Sequence, residues 1–248
     1  MTPGTSSPVP LPSRWLLHGG RPTSRFLIRR RFAVRVHHAG NVPRRGGVLL
    51  AANHIGVADG PLLAIFSPRP VHALTKAEMF TGPLGAFLRT CGQVPLDRFR
   101  VDRAAIRTCL RVLERGGAVG IFPEGRRGPG DLSRFHRGAA YLALVAGVPV
   151  VPVAILGSRE PGGRSSDLPR RGGTVDLYYG EPLRLPQQPW PRTREQVEEA
   201  SLLLRRHMLS TIDAARAATG RELPGPLAPD DLDEDPYTGL VHLEPGAP

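Results

Sequence analysis

The stretch AANHIGVADG, residues 51–60, sets an imidazole and a carboxylate, His54 and Asp59, at the end of an apolar run and beside Gly56 and Gly60. A histidine next to a carboxylate can serve as a general base, with the carboxylate fixing the tautomer and stabilising the imidazolium as it forms. Five residues along one α-helix amount to about 500° of rotation, which would point these two side chains apart. They can meet only if His54 lies on a turn and Asp59 near the start of the helix that follows. Gly60 and Pro61 suit such a start, and on these residues alone Asp59 would serve equally well as an N-cap. His18, His37, His38, His72, His136, His207 and His242 have no comparable companion and read as structural or solvated.

Two further stretches end an apolar strand in charge. GQVPLDRFR, residues 92–100, closes on Asp97, Arg98 and Arg100, and IFPEGRRG, residues 121–128, closes on Glu124, Arg126 and Arg127. Strand ends in α/β sheets are where ligands bind, and a guanidinium there can fork onto a phosphate. Gly125 would let the backbone approach a ligand closely or take positive φ. Taken singly, Arg98 also reads as an ordinary surface arginine, and Glu124 with its arginines as an ion pair holding a turn.

The elements that must position these groups follow from the pattern of apolar residues. RFAVRV, VLLAAN, VHALTK, QVPLD, AVGIFP and TVDLYYG read as strands, with helices over Pro61–Phe66, Pro83–Arg89, Val101–Arg115, 137–146 and 193–219. Residues 139–157 are uncharged over 19 positions, the length of a membrane span, but Gly147, Pro149 and Pro152 divide them into a buried helix and a buried strand, Val148–Leu156. Strands alternating with helices make the fold α/β. The 248 residues divide into a start over 1–31, a core over 32–220, and an acidic, Pro-rich tail over 221–248 that is expected to be disordered, as are residues 1–12.

Charge is distributed unevenly. The net charge is +11, Lys76 is the only lysine, and Arg14, Arg21, Arg25, Arg29, Arg30, Arg31, Arg35, Arg44 and Arg45 all precede the first acid, Asp59. A basic front points to an anionic partner, nucleic acid or a membrane surface. An aromatic content of 6% is poor for base stacking, and no nucleic-acid-binding signature is present. Between Arg14 and Arg31, Trp15, Leu16, Leu17, Phe26, Leu27 and Ile28 alternate with arginine around an HGGRP break. Two short amphipathic pieces at a membrane interface fit this pattern, and so does an apolar cap on the core. Cys91 and Cys109 lack metal-ligand spacing and are expected as free thiols, and the opening residues lack the apolar core of a secretory signal.

In order along the chain, NH-x4-D, G-x5-R, FPEG-x-R and the strand VPVVPVAILG resemble the four blocks of the PlsC-like glycerolipid acyltransferases, the family of 1-acyl-sn-glycerol-3-phosphate acyltransferases, over roughly residues 33–185. The resemblance implies a single-domain mixed sheet flanked by helices, the glycerol-3-phosphate acyltransferase-like fold. It makes His54 the catalytic base and Asp59 its partner, with Gly92 and Arg98 in the second block and Phe122, Pro123, Glu124, Gly125 and Arg127 in the third. Arg98, Glu124 and Arg127 would bind the acceptor, the guanidiniums holding its phosphate, and Pro149 and Pro152 would lie near the acyl-binding region. Gly56 stands where the family often has Ser, and Arg126 where it usually has a small hydroxyl residue, which leaves the acceptor open.

The implied reaction is direct transfer of a fatty acyl group from acyl-CoA or acyl carrier protein to the free hydroxyl of 1-acyl-sn-glycerol 3-phosphate, giving phosphatidic acid. No GxSxG elbow is present to supply a serine nucleophile. Neither a metal nor a cofactor beyond the thioester co-substrate is expected. Glycerol 3-phosphate, an aminolipid or a glycolipid remain alternative acceptors. The expected partners are the lysophospholipid and an anionic membrane rather than nucleic acid, with a peripheral or monotopic place on the cytoplasmic face of the cell membrane.

Overall fold

Each apolar run is bounded by Gly, Pro or charge and is too short to bury itself, so the runs must assemble side by side. In the computed structural model, which describes residues 11–12, 15–187, 191–234 and 238–243, they do so as one sheet between two layers of helices. The chain runs α1 (Trp15–Gly19), α2 (Arg21–Arg29), β1 (Ala33–His37), β2 (Val48–Ala52), α3 (Asp59–Phe66), β3 (Val71–Lys76), α4 (Gly82–Thr90) and β4 (Val94–Leu96). It continues through α5 (Arg103–Glu114), β5 (Ala118–Ile121), α6 (Gly138–Ala146), β6 (Val150–Leu156), β7 (Thr174–Tyr179) and α7 (Arg194–Thr219). These lie where the sequence pattern predicts them. The helix expected from Val101 starts two residues later because Asp102 caps it, its carboxylate accepting from the N–H groups of Ala104 and Ala105 at 3.0 and 2.9 Å.

The seven strands are ordered β1-β7-β6-β2-β5-β3-β4. β6, β2, β5, β3 and β4 run parallel, and β7 turns back antiparallel to β6 and carries β1 with it, so the sheet is mixed. Successive side chains of a strand face opposite sides, and β2 shows the result. Leu49 and Ala51 pack into the core under α5, α6 and α7, whereas Val48, Leu50 and Ala52 pack into the core on the α3 side.

The uncharged run at 139–157 breaks at Gly147, whose φ of +63° ends α6 in a left-handed turn before buried β6. Among the described residues no helix is long and apolar enough to cross a membrane. Cys91 and Cys109 are free thiols.

The two ends of the chain hold surprises. At the start, Leu17 is buried in the core, as a cap would be, while Phe26 and Leu27 on α2 are each 60% exposed. Arg21 and Arg25 of the basic front turn inward, both Nε atoms donating to the Ile65 carbonyl and Arg25 Nη2 to Ser67 O, and so cap the end of α3. The expectation of a disordered tail needs correction over 221–234 and 238–243. Leu227 and Val241 are buried, and Arg221 Nε pairs with Asp176 at 2.8 Å. A few well-placed apolar side chains anchor a segment whose composition alone is too polar to fold.

Candidate active site

Because five neighbouring strands run parallel, their C-terminal ends share one edge of the sheet, the edge at which α/β proteins collect ligand-binding groups. Each of these ends delivers a functional side chain. β2 leads to His54, β5 to the loop Phe122–Arg127, β3 ends in Lys76, β4 leads to Arg98, and β6 to Ser158 and Arg159. A cleft of about 1480 Å³ opens there, larger than the usual small-molecule pocket. His54, Phe122, Lys76, Arg98, Arg126 and Arg127 line it together with Leu16, Leu17, Ile65, Leu84, Phe87 and Leu88.

His54 and Asp59 meet as their spacing requires, with His54 on the loop after β2 and Asp59 the first residue of α3. His54 Nδ1 donates to Asp59 Oδ2 at 2.9 Å. The same oxygen accepts from the N–H groups of Ile55 and Gly56 at 2.7 and 2.8 Å, and Asp59 Oδ1 accepts from the Ser158 hydroxyl. Asp59 is wholly buried, and both its carboxylate oxygens are engaged by donors. Holding the proton on Nδ1 leaves Nε2 as the basic nitrogen, and among the described residues it has no hydrogen-bond partner. The ring of Phe122 stacks on His54 at 4.3 Å and fixes the plane of the imidazole.

Within the third block, Glu124 departs from its expected place. Glu124 does not reach the cleft to bind an acceptor. It is buried, and Oε1 accepts the main-chain N–H of His54 at 2.7 Å, while the His54 carbonyl accepts from Gly128 N at 2.9 Å. The β5 loop thus grips His54 from both sides of its backbone. Burial pushes the Glu124 carboxyl up to about 8, against the N–H groups of His54 and Gly130, which favour the anion. A carboxyl raised in this way contributes stability that is complete below its ordinary range near 4.5 and is lost as pH climbs towards 8. Glu124→Gln is therefore expected to flatten the fall in thermal midpoint between pH 5 and pH 8, and to keep transfer within about tenfold because its amide oxygen still accepts from His54. Glu124→Ala, which strands that N–H, should lose about a hundredfold. A Gln variant as inactive as the Ala variant would show instead that the carboxyl acts on substrate.

Gly92 is also reassigned. It is absent from the cleft lining, has φ of +65°, and offers its carbonyl to His72 Nδ1 at 2.6 Å, so it shapes the turn into β4. Pro149 and Pro152 likewise do not line the cleft. Pro152 pairs with Ala51 inside the sheet. Gly125, by contrast, belongs where its sequence placed it. Its φ is +72°, a Cβ there would sit 2.5 Å from His136 Nε2, and its carbonyl accepts from Arg98 Nη1 at 3.0 Å.

Lys76, Arg98 and Arg127 form a cationic cluster beside the dyad. Burial lowers the Lys76 ammonium, and the Arg98 and Arg127 charges lower it further, opposing Asp233. Arg98 Nε is buried without a hydrogen-bond partner among the described residues. Asp233 from the tail lies between the other two, 2.6 Å from Lys76 Nζ and 3.1 Å from Arg127 Nη2. Burial of the Asp233 carboxyl works to raise it, but Lys76 and Arg127 outweigh that and bring it down to about 2.

Sequence reasoning missed Ser158, Arg159 and Asp233, and noted Lys76 only as a compositional oddity. Arg159 is buried and knits the site together, Nε donating to Ile55 O at 2.7 Å and Nη2 to the Gly128 and Gly225 carbonyls at 3.0 and 2.6 Å. The available signal was the SRE turn directly after a buried strand, but only the pairing of β6 with β2 brings it beside His54.

Fold and site together define an α/β enzyme with a hydrogen-bonded His54–Asp59 pair at a cleft that is cationic on one side and apolar elsewhere. The family model described as Acyltransferase matches residues 33–156. A 1-acyl-sn-glycerol-3-phosphate acyltransferase of Bacillus subtilis is 31% identical over 161 residues, 64% of this chain and 78% of that protein. One from Borreliella burgdorferi is 31% identical over 120 residues, 46% of this chain and 48% of that protein, so the match spans about half its length. The crystal structure of the 1-acyl-sn-glycerophosphate (LPA) acyltransferase PlsC from Thermotoga maritima superposes with a TM-score of 0.60 at 24% identity, covering 82% of this chain and 79% of that one, a likeness of fold. The chain belongs to the acyltransferase family.

Proposed function

We propose that this acyltransferase moves a fatty acyl group from a thioester donor, acyl-CoA or acyl-ACP, to the free hydroxyl of 1-acyl-sn-glycerol 3-phosphate, giving phosphatidic acid. The observation that carries this is His54, held by buried Asp59, lining one cleft with Lys76, Arg98 and Arg127. The printed names of the Bacillus and Borreliella relatives support it. An alcohol is a poor nucleophile at neutral pH, so His54 Nε2 takes its proton as the oxygen attacks the thioester carbonyl. The new C–O bond forms, the C–S bond breaks, and the thiolate leaves, while Asp59 stabilises the imidazolium until the proton passes to the departing sulfur or to solvent. The cations hold the acceptor phosphate and so present its hydroxyl to Nε2, and the apolar walls suit acyl chains.

A radiolabelled acyl-transfer assay over a panel of acceptors tests this directly. Transfer to 1-acyl-sn-glycerol 3-phosphate should exceed transfer to the phosphate-free 1-acylglycerol by at least about a hundredfold in kcat/KM, the worth of two charge-assisted contacts. Equal use of both acceptors, or preference for an aminolipid, would refute the assignment.

Such an acceptor resides in a bilayer, and exposed Phe26 and Leu27 beside Arg29, Arg30 and Arg31 offer a surface for docking on its anionic face. Deleting residues 15–31 would strip buried Leu17 and the α3 cap from the fold, so a paired substitution is the better test. Phe26→Asp with Leu27→Asp is expected to abolish cosedimentation with anionic vesicles and to leave the thermal midpoint within a few degrees. Undiminished cosedimentation of the folded variant would sink the docking role.

A further inference from the structure

The acidic tail reaches into the cationic cluster. Asp233 meets Arg127 through several bonds, with Nε 3.3 Å from Oδ2 and Nη2 3.1 and 3.2 Å from Oδ1 and Oδ2, while Lys76 Nζ lies 2.6 Å from Oδ1. Arg126 Nη1 donates to the Asp233 carbonyl at 3.4 Å. The tail touches the third cation as well, the Thr238 hydroxyl donating to the Arg98 carbonyl at 2.7 Å. A forked guanidinium with an ammonium beside it is equally the arrangement that recognises a phosphate.

Building on the acceptor-phosphate reading above, we infer that the Asp233 carboxylate holds the seat of the acceptor's phosphate, so that the C-terminal segment is an intramolecular ligand the acceptor must displace. Asp233 takes the Lys76 ammonium and the Nε and Nη2 of Arg127, the donors a phosphate would use there, while Arg127 Nη1 donates to the Ser165 carbonyl at 3.1 Å. A phosphate monoester carries more charge and three terminal oxygens, enough to take both cations and also the unpartnered Nε of Arg98.

The segment is also built to release. Among the described residues 228–234 it has a single short turn, Pro229–Asp231, Leu232 faces solvent, and Asp230 makes an exposed ion pair with Arg164 at 3.5 Å. A further attachment is Asp231, which accepts from Ser165 N at 2.5 Å and Ser165 Oγ at 3.0 Å. The apolar anchors Leu227 and Val241 flank the acidic stretch, so the acids can lift while both flanks stay docked. Apparent acceptor affinity is then reduced by the fraction of molecules whose seat is open.

The full-length chain and its Asp233→Asn variant test this in two measurements. Hydrogen exchange over 228–234 should rise in the wild type on titration with inorganic phosphate and saturate, while 239–243 stays protected. In the variant it should be high from the outset and indifferent to phosphate. The variant's KM for 1-acyl-sn-glycerol 3-phosphate should fall by roughly five- to tenfold at unchanged kcat. Wild-type exchange indifferent to phosphate, or a KM that is unchanged or raised in the variant, overturns the inference. Release of the tail by phosphate without acylation of 1-acyl-sn-glycerol 3-phosphate would uphold the seat and refute that acceptor. Equal turnover by both proteins with an unmoved tail would do the reverse.

Discussion

Replacing His54 with Ala should lower kcat for acyl transfer by about a thousandfold or more, the upper range for a general base, and leave the fold intact. The fold survives because the groups left behind stay satisfied. Asp59 keeps three donors in Ile55 N, Gly56 N and the Ser158 hydroxyl. The main-chain contacts of residue 54 with Glu124 and Gly128 do not involve its side chain. Only the imidazole stacked on Phe122 is lost. Circular dichroism, thermal midpoint and acceptor KM should therefore stay near wild type while kcat collapses. A variant of near wild-type kcat would remove His54 from the chemistry.

Asp59→Asn isolates the charge. The Asn carbonyl oxygen can accept from His54 Nδ1, Ile55 and Gly56, and its amide then faces Ser158, whose hydroxyl can rotate to accept. Geometry is preserved and the negative charge is gone, so the imidazolium formed during attack lacks its stabilising partner. The expected loss in kcat is about 10²–10⁴-fold. Because the two residues act as a unit, the His54→Ala/Asp59→Asn double variant should be little worse than His54→Ala alone. Losses that simply multiply would mean that Asp59 acts apart from His54, as a helix cap.

The dyad was legible because it is local. Five residues, two glycines and a Pro announce a turn and a helix start, although Glu124, Gly128, Ser158 and Arg159 hold that turn from outside it. The sheet was legible for the same reason, since its strands announce themselves by short apolar runs. What stayed hidden depends on which strands are neighbours. Ser158 and Arg159 lie about a hundred residues from His54, and only the β2–β6 pairing makes them its companions. Glu124 looked like an acceptor ligand because nothing in FPEGRRG tells whether a carboxylate faces a cleft or the backbone of another loop. The tail misled for a related reason. Asp, Pro and Gly dominate it, and its few anchors, Leu227 and Val241, matter only once the surface they cover exists.

The most direct test of His54 as a base acting on the acceptor itself is rapid-quench kinetics of the enzyme with acyl-CoA, before and after 1-acyl-sn-glycerol 3-phosphate is added. Direct transfer releases no CoA beyond slow background until the acceptor arrives, and then CoA and phosphatidic acid appear together with no label on the protein. A burst of one equivalent of CoA without acceptor, leaving the acyl group covalently on the chain, would contradict it.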